Sequence, residues 1–110
     1  MENQYAKQRI IKDVRNDDIR IQITGYVKKL ENDYIILNDP TGEMKVDITN
    51  ALDFIQNIKE KDLINVIGNL VINVDGEKAI QADIIQDMNK LNFNYYLKLY
   101  ELKKKMSLVK

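Results

Sequence analysis

Tyr26 and Tyr34, with Lys28, Lys29 and Lys45, are the residues whose chemistry best suits a ligand: two rings for stacking nucleobases and three ammonium groups for phosphate. The blander alternative is that tyrosines are ordinary strand residues and lysines ordinary solvated charge. Covalent chemistry is poorly served. The chain has no cysteine and no histidine, which removes disulfides, thiolate nucleophiles, imidazole bases and the usual zinc ligands together. Carboxylates alone can hold magnesium, but none is spaced as a cage. Asp13, Asp17, Asp18, Glu31, Asp33 and Asp39 read as solvated turn and cap residues. Asp75-Gly76-Glu77 reads as a turn, because a calcium loop needs several more spaced oxygens. No acid pair accompanies a nucleophile. The expectation is a binding protein, not an enzyme, with no cofactor and no metal.

Charge sets a further limit. Seventeen basic and seventeen acidic residues cancel, so no overall positive field draws in nucleic acid, and any such binding must come from a local patch. Asp47 works against a patch around Lys45. The 110 residues fit one domain with a real core. The opening MENQYAKQRI has no long apolar run, so neither a signal peptide nor a membrane span is expected, and an intracellular protein, cytoplasmic or in the nucleoid or nucleus, is the default.

The elements that must carry the two tyrosines are strands. In Asp18 to Lys28, Ile19, Ile21, Ile23 and Val27 alternate with Arg20, Gln22, Thr24 and Tyr26, the period of a half-buried strand. Gly25 lies on the inward register, where a glycine marks a bend such as the corner of a small barrel. After a turn at Lys29 to Asp33, Tyr34 to Asp39 puts Ile35 and Leu37 on one face and Tyr34 and Ile36 on the other, an unusually apolar outer face. Asp39-Pro40-Thr41-Gly42 is type I turn chemistry. It leads to Glu43 to Thr49, with Met44, Val46 and Ile48 inward. Asn50 is placed to cap a short helix over Ala51 to Ile58 that plugs one barrel end. Asp62 to Ile72 repeats the strand-with-glycine design around Gly68, Asp75-Gly76 marks a hairpin, and Lys78 to Gln86 alternates Ile80, Ala82 and Ile84 inward. Five strands with a helix between the third and fourth is the order of an OB-fold barrel, mainly β. The expected organisation is an N-terminal arm over residues 1–17, its first few residues frayed, with Tyr5, Ile10, Ile11 and Val14 laid on the barrel. The barrel follows over 18–87, and a C-terminal oligomerisation helix over 88–110.

That helix, expected from about Met88 to Met106, has two apolar faces. Met88, Leu91, Tyr95, Leu99, Leu102 and Met106 fall within an arc of about 80°, and Phe93, Tyr96, Leu97 and Tyr100 within a second arc of about 100°, roughly opposite. One stripe suffices to dock a helix on its own barrel, so the other predicts a partner, with either arc as the seam. Leu91, Tyr95, Tyr96, Leu99, Tyr100, Leu102 and Met106 are the candidate interface. Lys103 to Lys105 read as complements of the helix dipole before phosphate ligands.

Ile21-x-Ile23-x-Gly25-x-Val27, Asn38-Asp39-x-Thr41-Gly42, Val66-x-Gly68-x-Leu70, Lys78 before the last strand and Asp87-Met88-Asn89 resemble the middle subunit of replication protein A and related telomere-protein OB domains. The likeness spans about Ile19 to Met106 and rests on order and spacing. It implies a barrel that binds single-stranded DNA weakly and without sequence preference, a helix that bundles with helices of other OB-fold subunits in a hetero-oligomer, and a role in replication, repair or recombination. Family members carry stacking aromatics where this chain has Thr49 and Asn73; Phe54 is a candidate substitute. The nucleic-acid set is then Tyr26, Lys28, Lys29, Tyr34, Ile36, Lys45, Thr49, Phe54, Asn73 and Lys78. Stacking contributes roughly 1–3 kcal/mol per base, so the two missing rings favour a rival reading, a scaffold subunit of a polymerase or repair assembly that binds only protein.

Overall fold

The computed structural model describes residues 5–109. Six strands and one long helix follow in order: β1 (Lys7–Gln8), β2 (Arg20–Leu30), β3 (Tyr34–Asp39), β4 (Gly42–Asp47), β5 (Leu63–Ile72), β6 (Lys78–Asp87) and α1 (Phe93–Val109). Strands β2-β3-β4-β6-β5 neighbour one another in that order, and β5 pairs back onto β2, which closes a five-stranded barrel. Only β4 and β6 run parallel within it. β1 is a short parallel addition to the outer edge of β2, pairing Lys7 with Ile21. The inward residues Ile21, Ile23, Val27, Ile35, Leu37, Val46, Ile48, Ile64, Val66 and Ile80 are almost fully buried and form the core.

Closure depends on two glycines. β2 is shared between two partners, β5 over Arg20 to Tyr26 and β3 from Tyr26 onward, so it bends where the two pairings meet. A Cβ on Gly25 would lie 2.6 Å from the Asn38 carbonyl oxygen, and one on Gly68 would lie 2.2 Å from that of Gln81. Only hydrogen fits at either corner.

Several expectations change. Ile19 is 68% exposed, because it precedes the strand and its backbone alone, through a carbonyl accepting from the Leu70 amide, meets the barrel rim. In β6, Ile67 faces Ile84 but Gly68 faces Ala82, so Asp83 is an extra, bulged residue. The bulge reverses the alternation, and Ile85, not Ile84, reaches the core. The third barrel strand ends at Asp47, not Thr49, since the Asp47 carboxylate turns back to accept from both the Thr49 amide (2.9 Å) and hydroxyl (2.7 Å). The helix expected over Ala51 to Ile58 is only a 3₁₀ turn, Leu52–Phe54. Asn50 does not cap it; no side chain does. Ala51 and Ile58 are buried while Leu52 and Phe54 are exposed, so the segment is pinned at its ends and irregular between them.

The C-terminal helix starts at Phe93, not Met88. Asp87 accepts from the Asn89 amide, and Asn89 both accepts from the Leu63 amide (2.8 Å) and donates to Asp62 (3.1 Å). These bonds hold residues 87–89 as a turn against β5, and Asn92 then caps the helix by accepting from the Tyr95 amide at 3.1 Å.

Ile10 and Val14 are buried as expected, whereas Tyr5 is exposed. The fraying expected of the first residues lies outside the described residues. Asp18 and Asp39, read from sequence as solvated, are buried anchors. Asp39 accepts from the Ile11 amide (2.8 Å) and the Thr41 amide (2.7 Å), joining arm to hairpin. Asp18 receives two guanidinium bonds from Arg9, 2.8 and 3.0 Å long, and one from the Arg15 amide at 2.9 Å.

Candidate nucleic-acid interface

The outer faces of β3, β4 and β6, with the β5–β6 hairpin, form an open groove. Pairing sets Lys29, Ile36, Lys45 and Ala79 in one row across four strands, and Tyr34, Asp47 and Gln81 in the next. Alternation puts these side chains outward because Ile35, Leu37, Met44 and Val46 face the core. The Lys45 ammonium lies over the Tyr34 ring, 4.7 Å from its centroid. Lys78 joins Ile36 and Lys45 in a depression of about 480 Å³. Asn73 lies beside Lys45 and Asp47, where its side-chain oxygen accepts from the Asp75 and Glu77 amides, each at 3.0 Å. It therefore shapes the hairpin through which Gly76 turns at φ +85°.

Other candidates lie elsewhere. Tyr26 pairs with Asn38, four residues along β3 from Tyr34, so the backbone positions that carry the two rings are separated by about 13 Å along the strand at 3.3 Å per residue. The Tyr26 ring meets the edge of Phe93 on α1, centroids 5.4 Å apart, so the helix claims part of it. Phe54 sits on the 3₁₀ turn outside the lining of the groove, and Thr49 is spent on Asp47.

The electrostatics are balanced. Lys28 is ion-paired with Glu43, and Lys29 lies 3.4 Å from Glu31. The Lys29 ammonium is held above its ordinary range by Tyr34 first and Glu31 second. Among the described residues, only Lys45 and Lys78 of the four groove lysines have no acid partner, and Glu43, Glu77 and Asp47 line the same surface. What the groove presents is one ring, Tyr34, with Lys45 over it, and two lysines, Lys45 and Lys78, that have no acid partner among the described residues. Among the described residues no group of carboxylates is placed for a metal, and no helix is long and apolar enough to cross a membrane.

Helix α1 divides its two apolar arcs. Phe93 and Tyr100 are buried, and the Tyr96 hydroxyl accepts from Gln8 at 2.8 Å. The aromatic arc therefore docks on the chain's own barrel and arm, which removes Tyr96 and Tyr100 from the surface open to a partner. Tyr95, Leu99, Leu102 and Met106 stay 37–63% exposed along the other arc. Leu91 is half-buried at the turn before the helix.

Sequence reading missed the clamp between arm and helix. The Asp13 carboxylate accepts from the Tyr100 hydroxyl (2.7 Å) and the Lys104 ammonium (2.9 Å). Burial pushes the Asp13 carboxyl up, but Tyr100 and Lys104 outweigh that and hold it below the usual range. Burial and then the Asp13 bond push Tyr100 up to about 12. Arg9 holds Asp18 below the ordinary carboxylate range despite burial. Local periodicity carries no signal for partners about ninety residues apart.

A closed five-stranded barrel in this strand order is an OB fold. No family model and no curated protein matches the sequence. Among solved structures, a chain of the Stn1–Ten1 complex of Schizosaccharomyces pombe superposes with a TM-score of 0.76 at 19% identity, over 94% of this chain and 96% of that one. The telomere capping protein Ten1 from Saccharomyces pombe reaches 0.73 at 20% identity, covering 92% and 99%. The hypothetical protein ygiW of E. coli reaches 0.59 at 14%, covering 79% and 100%. These likenesses establish the fold.

Proposed function

We propose that this chain is a small OB-fold subunit of a hetero-oligomeric complex that holds single-stranded DNA, of the telomere-capping kind. Helix α1 provides the seam, and the β3–β4–β6 groove makes weak, sequence-independent contacts. The carrying observation is the stripe Tyr95, Leu99, Leu102 and Met106, left exposed on a helix whose opposite arc is already buried on its own barrel. An apolar stripe of this length suits a second helix. Its likeness in fold to Ten1 and to a chain of the Stn1–Ten1 complex supports a telomeric assembly and a nuclear site of action. A bundle of the replication-protein-A type, acting in replication or repair, is the finer form of the same reading.

The second reading is a scaffold that contacts only protein. It is favoured by the Lys28–Glu43 and Lys29–Glu31 pairings, which neutralise half of the groove lysines. Two substitutions in the full chain separate the surfaces. Leu99→Asp should abolish co-purification of the partner subunit and leave oligo-dT binding unchanged. Tyr34→Ala should weaken oligo-dT binding, by about 1–3 kcal/mol for one lost stacking platform, and leave assembly intact. Intact assembly in Leu99→Asp overturns the seam. Absence of salt-dependent oligo-dT binding by the wild-type chain and its complex leaves the scaffold.

A further inference from the structure

We propose that the cleft between the N-terminal arm and helix α1 is a second phosphate-binding site, gripping the backbone of single-stranded nucleic acid apart from the barrel groove. The inference rests on the nucleic-acid reading of this chain and adds a site to it. The cleft, about 660 Å³, is lined by Arg9, Lys12 and Arg15 from the arm side and by Lys103 and Lys104 from the helix, with Asp13 the single acid among the lining residues. In a chain of zero net charge, five cations around one carboxylate is a marked segregation.

The acids nearby are already spent. Asp13 accepts from Tyr100 and Lys104, and Asp18 accepts from two of the three Arg9 guanidinium nitrogens and from the Arg15 amide. These bonds tie the two walls together and leave the rest of the charge uncompensated. Lys12 and Lys103 have no ion pair among the described residues, and Arg15 has only an exposed one, 3.6 Å from Asp17. Cations on both walls of an open trough suit a polyanion lying along it better than a single small anion. Tyr100, the one ring in the lining, is buried and committed to Asp13, so the cleft reads phosphates and not bases. This also answers the poverty of the barrel groove, where half the lysines are tied to acids.

The test is fluorescence anisotropy on the full chain, with oligo-dT and an abasic oligodeoxynucleotide of equal length titrated across a salt series. Replacing Lys12, Arg15 and Lys103 together by Gln should lower affinity for both strands roughly tenfold or more at low salt. At about 0.7 in log–log slope per phosphate, losing two or three contacts should make the salt dependence shallower by roughly 1.4–2.1. All three side chains are exposed, so the thermal midpoint should hold. Lys103→Gln alone should move the same way by a smaller step, with Lys103→Arg restoring binding. A triple variant that keeps wild-type affinity and slope overturns the cleft while leaving the groove reading standing. A wild-type chain with no salt-dependent binding to either strand overturns both. Polyglutamate competing as well as oligo-dT overturns the assignment to nucleic acid in favour of an acidic polypeptide.

Discussion

Gly68→Ala tests whether the barrel closes as described. The added methyl carbon would lie 2.2 Å from the Gln81 carbonyl oxygen and 2.8 Å from the Ala82 Cα, against an ordinary contact of 3.4 Å or more. Both obstacles are backbone, so no rotamer change relieves them. β5 must move from β6 next to the Asp83 bulge. Overpacking typically costs about 1–3 kcal/mol, and losing one or two neighbouring ladder bonds adds about 1 kcal/mol each, for a total of about 2–5 kcal/mol. A chain of this size has roughly 5–15 kcal/mol to lose. Urea unfolding followed by circular dichroism should therefore show the midpoint falling by about 1–2.5 M for a urea m-value near 2 kcal/mol/M. Gly25→Ala, 2.6 Å from the Asn38 oxygen with Leu37 Cγ next at 3.1 Å, should be damaged less. Gly76→Ala, with nothing within 4 Å and only its positive φ to strain, should lose about 1–2 kcal/mol. A Gly68→Ala protein within 1 kcal/mol of wild type, or Gly76→Ala as the worst of the three, would refute the close approach at this corner.

Two further outcomes concern the arm. Arg9 lowers the Asp18 pKa, so the ion pair's stabilisation is complete above the unfolded carboxyl range, near 3.9, and is lost as pH falls through the lower folded value. Asp18→Asn should destabilise the chain by about 1–3 kcal/mol at neutral pH, and the gap from wild type in urea unfolding should close as the solution is acidified; a gap independent of pH would show that the carboxylate charge is irrelevant. Tyr100 is raised from 10.0 to about 12, so its contribution is complete below the unfolded value and lost as pH climbs through the folded one. Tyrosinate absorbance should show a late Tyr100 step that Tyr100→Phe removes. Asp13→Asn should move that step down toward the ordinary tyrosine value of 10.0, and an unmoved step would place the late titration elsewhere.

Strand existence was legible because alternation is a local signal. Ile21, Ile23, Ile35, Leu37, Met44, Val46 and Ile48 all lie inward as their spacing requires. The misreadings arise where geometry is set by a distant partner. Ile84 and Ile85 exchange roles because the bulge at Asp83 answers Gly68 on another strand, and nothing in the ADII string announces it. The segment after Asn50 has helical spacing, yet burial of Ala51 and Ile58 holds it in a single 3₁₀ turn. Asp18 and Asp39 look like ordinary turn residues until the arm folds across the barrel and delivers Arg9 and the Ile11 amide to them. The groove was half legible: Tyr34, Ile36 and Lys45 meet as alternation places them, whereas Tyr26 is drawn toward Phe93 on a helix far along the chain.

Gln8 to Tyr96, and Asp13 to Tyr100 and Lys104, fasten the chain's early segment to its last helix. Two stretches that are remote in sequence should therefore open as one cooperative unit, exchanging their amide hydrogens together and ahead of the barrel ladders. Any molecule that seizes the exposed side of the helix would steady the arm as well, slowing exchange at amides it never touches.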